Sequence, residues 1–262
     1  MVAMSLVGFS FSVAGLLFPF QIGVSSVLKT SDTFSPNTPI NGASGGALAA
    51  CCLAAGLSDN DALRASQKVA DRCTAEGAFL KLGTILREEL NDLIDDELLQ
   101  NLNNRPGSCE FSYTSVQPRS PSQPFASCEN LIDVLCASSH IPLYSSIIPV
   151  VRVNNEFGVD GFLSSPGTLG MRPVKDAETT VFVTPFSLYT DNAPGSFNPN
   201  LIAPLKGEIP FSSEEYVNLA LGRPGPSPAD QMALFNLGVS CARRWIKLND
   251  VQIRLVEKNA LV

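Results

Sequence analysis

The segment Gly42-Ala43-Ser44-Gly45-Gly46 fits the pattern G-x-S-x-G, in which the serine is the nucleophile of an acyl-transfer reaction. Such a serine lies in a strained turn between a strand and a helix, and the glycines around it allow neighbouring chain to come close. Free N–H groups at the start of the following helix favour an oxyanion there. The alternative is a glycine-rich turn that binds phosphate. No lysine follows the glycines, which argues against a P-loop.

The choice of a base for Ser44 is narrow, because the chain contains one histidine, His140. Sites that need two histidines are excluded, among them most zinc hydrolase sites and HExxH metallopeptidases. His140 precedes the best carboxylate candidate, Asp160, whereas an α/β-hydrolase needs the order serine, acid, histidine. In a Ser-Asp dyad, Asp160 would instead take the serine proton directly in a dry, preorganised site. Asp160 and Gly161 also suit a simple turn at the end of a short strand, so the residues alone leave these interpretations open.

The composition excludes several classes of function. The 262 residues carry a net charge of −7, which argues against a nucleic-acid partner because such a partner needs a basic face. The seven cysteines are scattered and include no CxxC pair, which indicates buried thiols rather than a disulfide framework or a zinc site. The length and the hydrophobic fraction of 45% suit one large domain over residues 1–262.

Residues 1–28 contain no charged side chain, and the first charge is that of Lys29. Membrane anchoring through this segment is one hypothesis. We favour a buried strand over residues 5–12, a tight turn over 13–18 and a helix over 19–28 that begins with Pro19. Polar and apolar residues alternate in 5–12, and no basic region precedes the apolar run. A first strand and helix that are wholly buried would explain the missing charges.

The rest of the chain alternates predicted strands with predicted helices. A helix of small residues follows the Ser44 motif over residues 47–55. Further helices are predicted over 59–75 and 127–138 and from Pro228 onward, and one long helix or a helix pair over 80–102. Further strands are predicted over 108–116 and 180–184, and loops over 118–124 and 191–210. The expected buried stripe of the last helix is Met232, Phe235, Val239, Ala242 and Ile246. This alternation predicts an α/β fold with a mostly parallel sheet covered on both faces.

Four segments in this order resemble the patatin-like phospholipase family, and within it the adipose triglyceride lipase and adiponutrin type. Residues 10–24 are similar to the family's glycine-rich oxyanion segment and the helix after it, and residues 42–46 match its nucleophile elbow. Residues 140–149 followed by 159–161 look like the segment that leads to the family's catalytic aspartate, and 184–187 also match. The order and spacing agree over about residues 5–190, whereas the helical tail over 208–262 matches loosely.

The resemblance implies a three-layer α/β/α sandwich with a central, mostly parallel sheet, and a serine lipid acyl hydrolase without metal or cofactor. Ser44 would attack an acyl ester, Asp160 would be the general base, and His140 would be structural. Gly42 and Gly46 would shape the elbow. The backbone N–H groups that would hold the oxyanion are those of Val13, Ala14, Gly15 and Gly45. The implied substrates are phospholipid, galactolipid or triacylglycerol, met by a cytoplasmic protein bound peripherally at a membrane or lipid-droplet surface.

The chain departs from the family at three positions. The family's oxyanion segment carries glycines where this chain has Val13 and Phe18, and a small residue follows the family's Asp-Gly pair where this chain has Phe162. A side chain at Val13 would tilt N–H groups away from the oxyanion, and losing one such donor costs about a hundredfold or more in rate. Phe162 would narrow the pocket beside the base. These departures motivate a second hypothesis, a catalytically weak patatin-like module that binds lipid or a partner protein.

Overall fold

A mostly parallel sheet lies at the centre of the protein. The computed structural model describes residues 6–115, 118–187 and 198–260, with side chains as far as Asn249. Six strands pair in the order β4-β3-β2-β1-β7-β8, and β5 and β6 form a separate antiparallel hairpin. In chain order the strands are β1 Val7–Phe11, β2 Ile40–Ala43, β3 Cys109–Thr114, β4 Pro118–Arg119, β5 Val151–Val153, β6 Glu156–Gly158, β7 Thr179–Val183 and β8 Leu201–Ile202. Within the described part of the large sheet, only β3 and β4 run antiparallel.

Helices flank this sheet, so the predicted α/β/α class is confirmed. Helix α2 packs on β1, β2 and β3, helix α6 packs on β3, and helix α1 packs on helix α8. The helices are α1 Phe18–Lys29, α2 Gly45–Ala54, α3 Asp59–Glu76, α4 Leu82–Leu93, α5 Asp96–Asn103, α6 Cys128–Ser138, α7 Ser213–Leu221 and α8 Pro228–Ala260.

Several helices begin where the sequence provides a capping side chain. The hydroxyl of Ser58 accepts a hydrogen bond from the N–H of Asp61 at the start of α3, and Ser127 caps α6 in the same way. The segment over 80–102, predicted as one long helix or a helix pair, is a pair, α4 and α5. Ile94 between them has extended backbone, and the carboxylate of Asp95 caps α5 at the N–H of Leu98. The capping box of Ser212 and Glu215 starts α7, a helix that the sequence analysis did not predict.

The uncharged N-terminal segment is buried inside the fold. Strand β1 pairs with β2 on one side and β7 on the other, and most of α1 is buried. The predicted strand, turn and helix are therefore confirmed from residue 6 onward, while Ser5 lies outside the described residues. None of the helices within the described ranges combines the length and hydropathy needed to cross a membrane.

Two predicted loops contain short edge strands. Residues 118–124 begin with β4, which pairs antiparallel with β3, and residues 191–210 contain β8, which pairs with β7. Residues 191–197 and Val116 lie outside the described residues. Strands of two residues have no periodicity of their own, so a sequence pattern does not reveal them. The prediction of buried thiols is confirmed at six of the seven cysteines, while Cys128 is half-buried.

Helices α1 and α8 touch through two glycines. A Cβ at Gly23 would lie 2.1 Å from the carbonyl oxygen of Phe235, and one at Gly238 would lie 2.0 Å from that of Phe20. This contact sets which face of α8 is buried, and the predicted stripe is wrong at Met232, which is 52% exposed. Phe235, Val239 and Ile246 are half-buried and Ala242 is buried. The fully buried positions are Gln231, Leu234, Leu237, Gly238, Cys241, Ala242 and Trp245.

The close contact of α1 and α8 predicts that Gly238→Ala destabilises the protein. The added methyl group meets backbone rather than a movable side chain, so we expect a loss of about 1–3 kcal/mol in the free energy of unfolding despite the higher helix propensity of alanine. Chemical denaturation measures it. The control is Gly167→Ala, where a Cβ meets nothing within 4 Å. Equal stability of the two variants would contradict the packing described for α1 and α8.

Candidate active site

Ser44 lies in a strained turn between β2 and α2. Its backbone angles are φ 55° and ψ −129°, in a region that residues with a side chain rarely adopt. Helix α2 begins at the next residue, Gly45, two residues before the predicted start. The side chain of Ser44 is 6% exposed. Strain of this kind persists only where the surrounding structure enforces it.

The glycines around Ser44 are required by backbone contacts. A Cβ at Gly42 would lie 2.3 Å from the carbonyl oxygen of Gly46, and one at Gly46 would lie 2.3 Å from that of Ser12. Real side chains do not tolerate such distances. The end of β1 and the first turn of α2 therefore come close enough to force the chain through the strained conformation of Ser44.

Ser138, the last residue of α6, stabilises the turn at Ser44 through two hydrogen bonds. Its hydroxyl accepts a hydrogen bond from the backbone N–H of Ser44 at 2.9 Å and donates one to the carbonyl oxygen of Ser112 at 2.6 Å. Ser138 is fully buried. No role for Ser138 follows from the sequence, because a serine at a helix end carries no signal for a partner 94 residues away.

Asp160 meets Ser44 from the loop after the β5–β6 hairpin. Its N–H donates to the carbonyl oxygen of His140 at 2.8 Å, and its carboxylate accepts a hydrogen bond from the N–H of Phe162 at 2.7 Å. Burial raises the pKa of Asp160 to about 6, although the hydrogen bonds from Phe162 and from the Ser44 hydroxyl act to lower it. The structure thus brings together the two side chains that the resemblance paired.

His140 is turned toward a different partner. Its ring Nε2 lies 3.0 Å from the carbonyl oxygen of Ile148, and burial lowers the pKa of the ring. Among the described residues no hydrogen bond joins this ring to Ser44 or Asp160. The main chain of His140 instead holds the N–H of Asp160. His140 therefore positions the Asp160 loop, as expected for a structural residue.

The segment expected to hold an oxyanion lies directly against the start of α2. A Cβ at Gly45 would lie 3.1 Å from both the backbone nitrogen of Gly15 and the Cβ of Ala14. Gly15 has φ +53°, and a Cβ there would meet the carbonyl oxygen of Ala220 at 2.1 Å. Within the described residues, the N–H groups of Ala14, Gly15 and Gly45 have no hydrogen-bond acceptor.

Val13 differs from the expectation. Its N–H donates to the carbonyl oxygen of Leu169 at 3.0 Å, so this group is not free to hold an oxyanion. The side chain of Val13 also contacts Gly170, where a Cβ would lie 3.3 Å from Cγ1 of Val13. The segment thus offers fewer donors than the sequence suggested, because a loop more than 150 residues away occupies one of them.

An apolar cavity of about 100 Å³ begins at Ser44. Side chains of α2, α3, α4 and α6 line it, together with Leu16 and Phe18. In the described part of the chain, Glu89 is its one charged lining residue, and Glu89 lies beside Arg72. Neither Asp160 nor Phe162 lines this cavity, so the narrowing of the site beside the base by Phe162 stays a prediction. An apolar cavity next to a nucleophile suits a hydrocarbon chain.

Comparisons with known proteins agree with this geometry. The family model described as patatin-like phospholipase matches residues 9–171, which include Ser44 and Asp160. The crystal structure of VipD from Legionella pneumophila is similar in fold, with a TM-score of 0.59 and 11% sequence identity over 93% of this chain and 67% of that chain. The comparison with curated proteins gives no match.

The bridge through Ser138 predicts that Ser138→Ala destabilises the fold. The change leaves the buried N–H of Ser44 and carbonyl of Ser112 without this partner, which costs about 1–3 kcal/mol in the free energy of unfolding. The neighbouring Ser139→Ala is the control, because the buried Ser139 hydroxyl has no hydrogen-bond partner among the described residues. We expect Ser139→Ala to be neutral or slightly stabilising. Denaturation curves that fail to separate the two variants would contradict the role of Ser138.

Proposed function

The chain belongs to the patatin-like phospholipase family, and on that premise we propose that it is a serine lipid acyl hydrolase with Ser44 and Asp160 as its catalytic dyad. The observation that carries the proposal is a buried carboxylate, that of Asp160, beside the hydroxyl of Ser44 in its strained turn. Ser44 lines an apolar cavity, and within the described residues the N–H groups of Ala14, Gly15 and Gly45 beside it have no hydrogen-bond acceptor.

In the proposed first step, Oγ of Ser44 attacks the carbonyl carbon of the ester while the carboxylate of Asp160 takes the hydroxyl proton. The oxyanion of the tetrahedral intermediate accepts hydrogen bonds from the N–H groups of Ala14, Gly15 and Gly45. The intermediate collapses, and the proton on Asp160 passes to the departing alcohol, which leaves an acyl ester on Ser44. Asp160 then takes a proton from water as the water oxygen attacks the acyl carbon. The second tetrahedral intermediate collapses with cleavage of the bond to Oγ of Ser44, which receives the proton from Asp160, and the fatty acid is released.

A carboxylate is a weak base in water, and burial improves it here. The pKa of Asp160 is raised to about 6 by burial, which brings it nearer to the working pH than an ordinary aspartate. The hydrogen bond from the N–H of Phe162 fixes the orientation of the carboxylate. Because the carboxylate of Asp160 is desolvated and held in one orientation, it takes the place of the histidine base of other serine hydrolases.

The proposed substrates are fatty-acyl esters of phospholipid, galactolipid or triacylglycerol. The apolar lining of the cavity supports an acyl chain as the bound group, and the family supports a glycerolipid. We further propose the adipose triglyceride lipase and adiponutrin type as the nearest subtype, and a peripheral location at a membrane or lipid-droplet surface. These finer assignments rest on the sequence motifs around residues 10–24 and 140–161.

A weaker catalyst is the second candidate, and one observation favours it. The N–H of Val13 is held by the carbonyl of Leu169, so one expected donor to the oxyanion is lost. Loss of a donor lowers the rate about a hundred- to a thousandfold in other hydrolases. A protein of this kind would still bind lipid in its apolar cavity. Labelling of Ser44 without measurable turnover of lipid esters would distinguish it from an active hydrolase.

The dyad predicts that a fluorophosphonate probe labels the wild-type protein and not Ser44→Ala. Asp160→Asn should lower the rate of ester hydrolysis about a hundredfold or more, because the base is removed. Gel fluorescence measures labelling, and a panel of lipid esters measures turnover. His140→Ala is the control: it should lose stability and keep turnover. A folded His140→Ala protein that is as inactive as Ser44→Ala would overturn the dyad, and unlabelled, folded wild type would overturn the enzyme assignment.

The raised pKa of Asp160 predicts opposite effects of pH on activity and stability. As the pH falls below about 6, kcat/KM should fall tenfold per pH unit, because the base becomes protonated. In the unfolded chain the pKa is the ordinary 3.8, so ionised Asp160 destabilises the fold by about 3 kcal/mol above pH 6, and this penalty disappears as the pH falls toward 4. Asp160→Asn should therefore stabilise the protein more at pH 7 than at pH 4. A stability difference that does not change with pH would contradict the raised pKa.

A further inference from the structure

Five large apolar side chains are exposed on two neighbouring segments, residues 78–83 and 141–149. We call this group the apolar rim, and its members are Phe79, Leu80, Leu143, Ile147 and Ile148. Their exposed fractions run from 37% for Leu80 to 76% for Ile147. Isolated apolar side chains on a surface are ordinary, but a contiguous group of this kind marks a surface that binds something.

The two segments form one continuous surface. The N–H of Leu80 donates to the carbonyl of Tyr144 at 2.6 Å, and the N–H of Gly83 donates to that of Ser145 at 2.8 Å. The rings of Phe79 and Tyr144 meet edge to face at 5.9 Å. The members of the rim therefore lie side by side.

The rim is held in place by the backbone beneath it. The ring of His140 and the hydroxyl of Ser146 both bond to the carbonyl oxygen of Ile148. Leu80 and Leu143 have φ of 61° and 58°, a left-handed conformation that is unfavourable for leucine. Leu80 and Leu143 thus adopt an unfavourable backbone conformation while their side chains stay exposed. This combination indicates that the fold holds both side chains at the surface.

The inner side of the rim continues into the wall of the cavity. The ring of Tyr144 contacts the ring of Phe79. Tyr144 also packs in one apolar cluster with Leu16, Leu82, Ile141 and Leu221. Those four residues also line the cavity that leads to Ser44. Apolar side chains therefore connect the exposed rim with the cavity that Ser44 lines.

Two cations lie next to the rim, and the carboxylate of Glu76 is in the neighbourhood of one of them, Lys81. Lys81 bonds to the backbone carbonyl of Glu76, and Arg223 lies over the ring of Tyr144 at 4.5 Å. Within the described residues neither cation has a carboxylate partner within 4 Å, whereas the carboxylate of Glu76 is paired with Arg72. Unpaired cations beside exposed apolar side chains match the phosphate groups and acyl chains of a phospholipid surface.

We propose that the apolar rim docks the protein onto an anionic phospholipid bilayer, with Lys81 and Arg223 at the level of the phosphates. The route of an acyl chain from the bilayer to Ser44 rests on the proposed function, whereas docking does not require catalysis. A protein partner would need a complementary face, while a bilayer needs only the apolar side chains and cations that the rim presents.

The test is co-sedimentation of the full chain with phosphatidylcholine vesicles, with and without phosphatidylserine. The test variant is Leu143→Asn/Ile147→Ser, in which asparagine tolerates the left-handed backbone. We expect it to lose about tenfold or more in vesicle partitioning. The control is Leu205→Ser/Met232→Ser, which removes exposed apolar side chains outside the rim and should stay within about twofold of wild type. Equal partitioning of the rim variant and wild type would overturn the proposal, as would a wild type that binds neither vesicle.

The role of the cations is tested with Lys81→Gln. This variant should lose about fivefold of the preference for phosphatidylserine, the effect of one cation near the surface. An unchanged preference would remove Lys81 from the docking surface. Hydrolysis of a soluble short-chain ester, measured in parallel, separates the two proposals. Vesicle binding without ester hydrolysis would contradict the proposed function and support docking, and ester hydrolysis without vesicle binding would do the reverse.

Discussion

The close contact between the end of β1 and the first turn of α2 is the constraint on which the site depends. Gly46 lies against the carbonyl of Ser12 at a distance that admits no side chain, and Gly42 lies equally close to Gly46. The chain between them has room only for the conformation that Ser44 adopts. The same approach brings Ala14 and Gly15 against Gly45, so that one packing contact determines both the position of the proposed nucleophile and that of the N–H groups beside it.

The second requirement is a carboxylate kept away from water. Asp160 is buried, and its loop is held by the carbonyl of His140 and the N–H of Phe162. Burial that raises its pKa makes it a better base and a worse contributor to stability. Sites of this kind are less stable than an inert replacement would be, and the surrounding core has to compensate for them. The large cluster around Phe9, Phe11 and Phe20 provides that compensation.

The buried apolar residues form two clusters that hold different parts of the structure. The large core fixes the sheet and its helices, while the smaller cluster around Leu16, Leu82 and Tyr144 has one side in the cavity and the other at the exposed rim. The segment over residues 140–149 takes part in both, because His140 positions the Asp160 loop with its main chain and the rim with its ring. Residues 140–149 thus hold both the loop of the proposed base and the surface through which a lipid would enter.

The sequence alone determined the elements whose signal is local: the glycines around Ser44, the starts of α3, α6 and α8, and a buried first strand and helix in place of a charge-free anchor. The resemblance to a known family paired Ser44 with Asp160, whereas the residues themselves left both His140 and Asp160 as candidate bases. Only the tertiary structure decided which donors remain free, since the N–H of Val13 is taken by Leu169 and that of Ser44 by Ser138. The contacts at Gly23 and Gly238 likewise decided which face of α8 is buried. The tertiary structure also contains β4 and β8 as short strands at the two edges of the sheet. These features depend on backbone contacts between residues far apart in the chain, and neither periodicity nor composition carries information about such a contact.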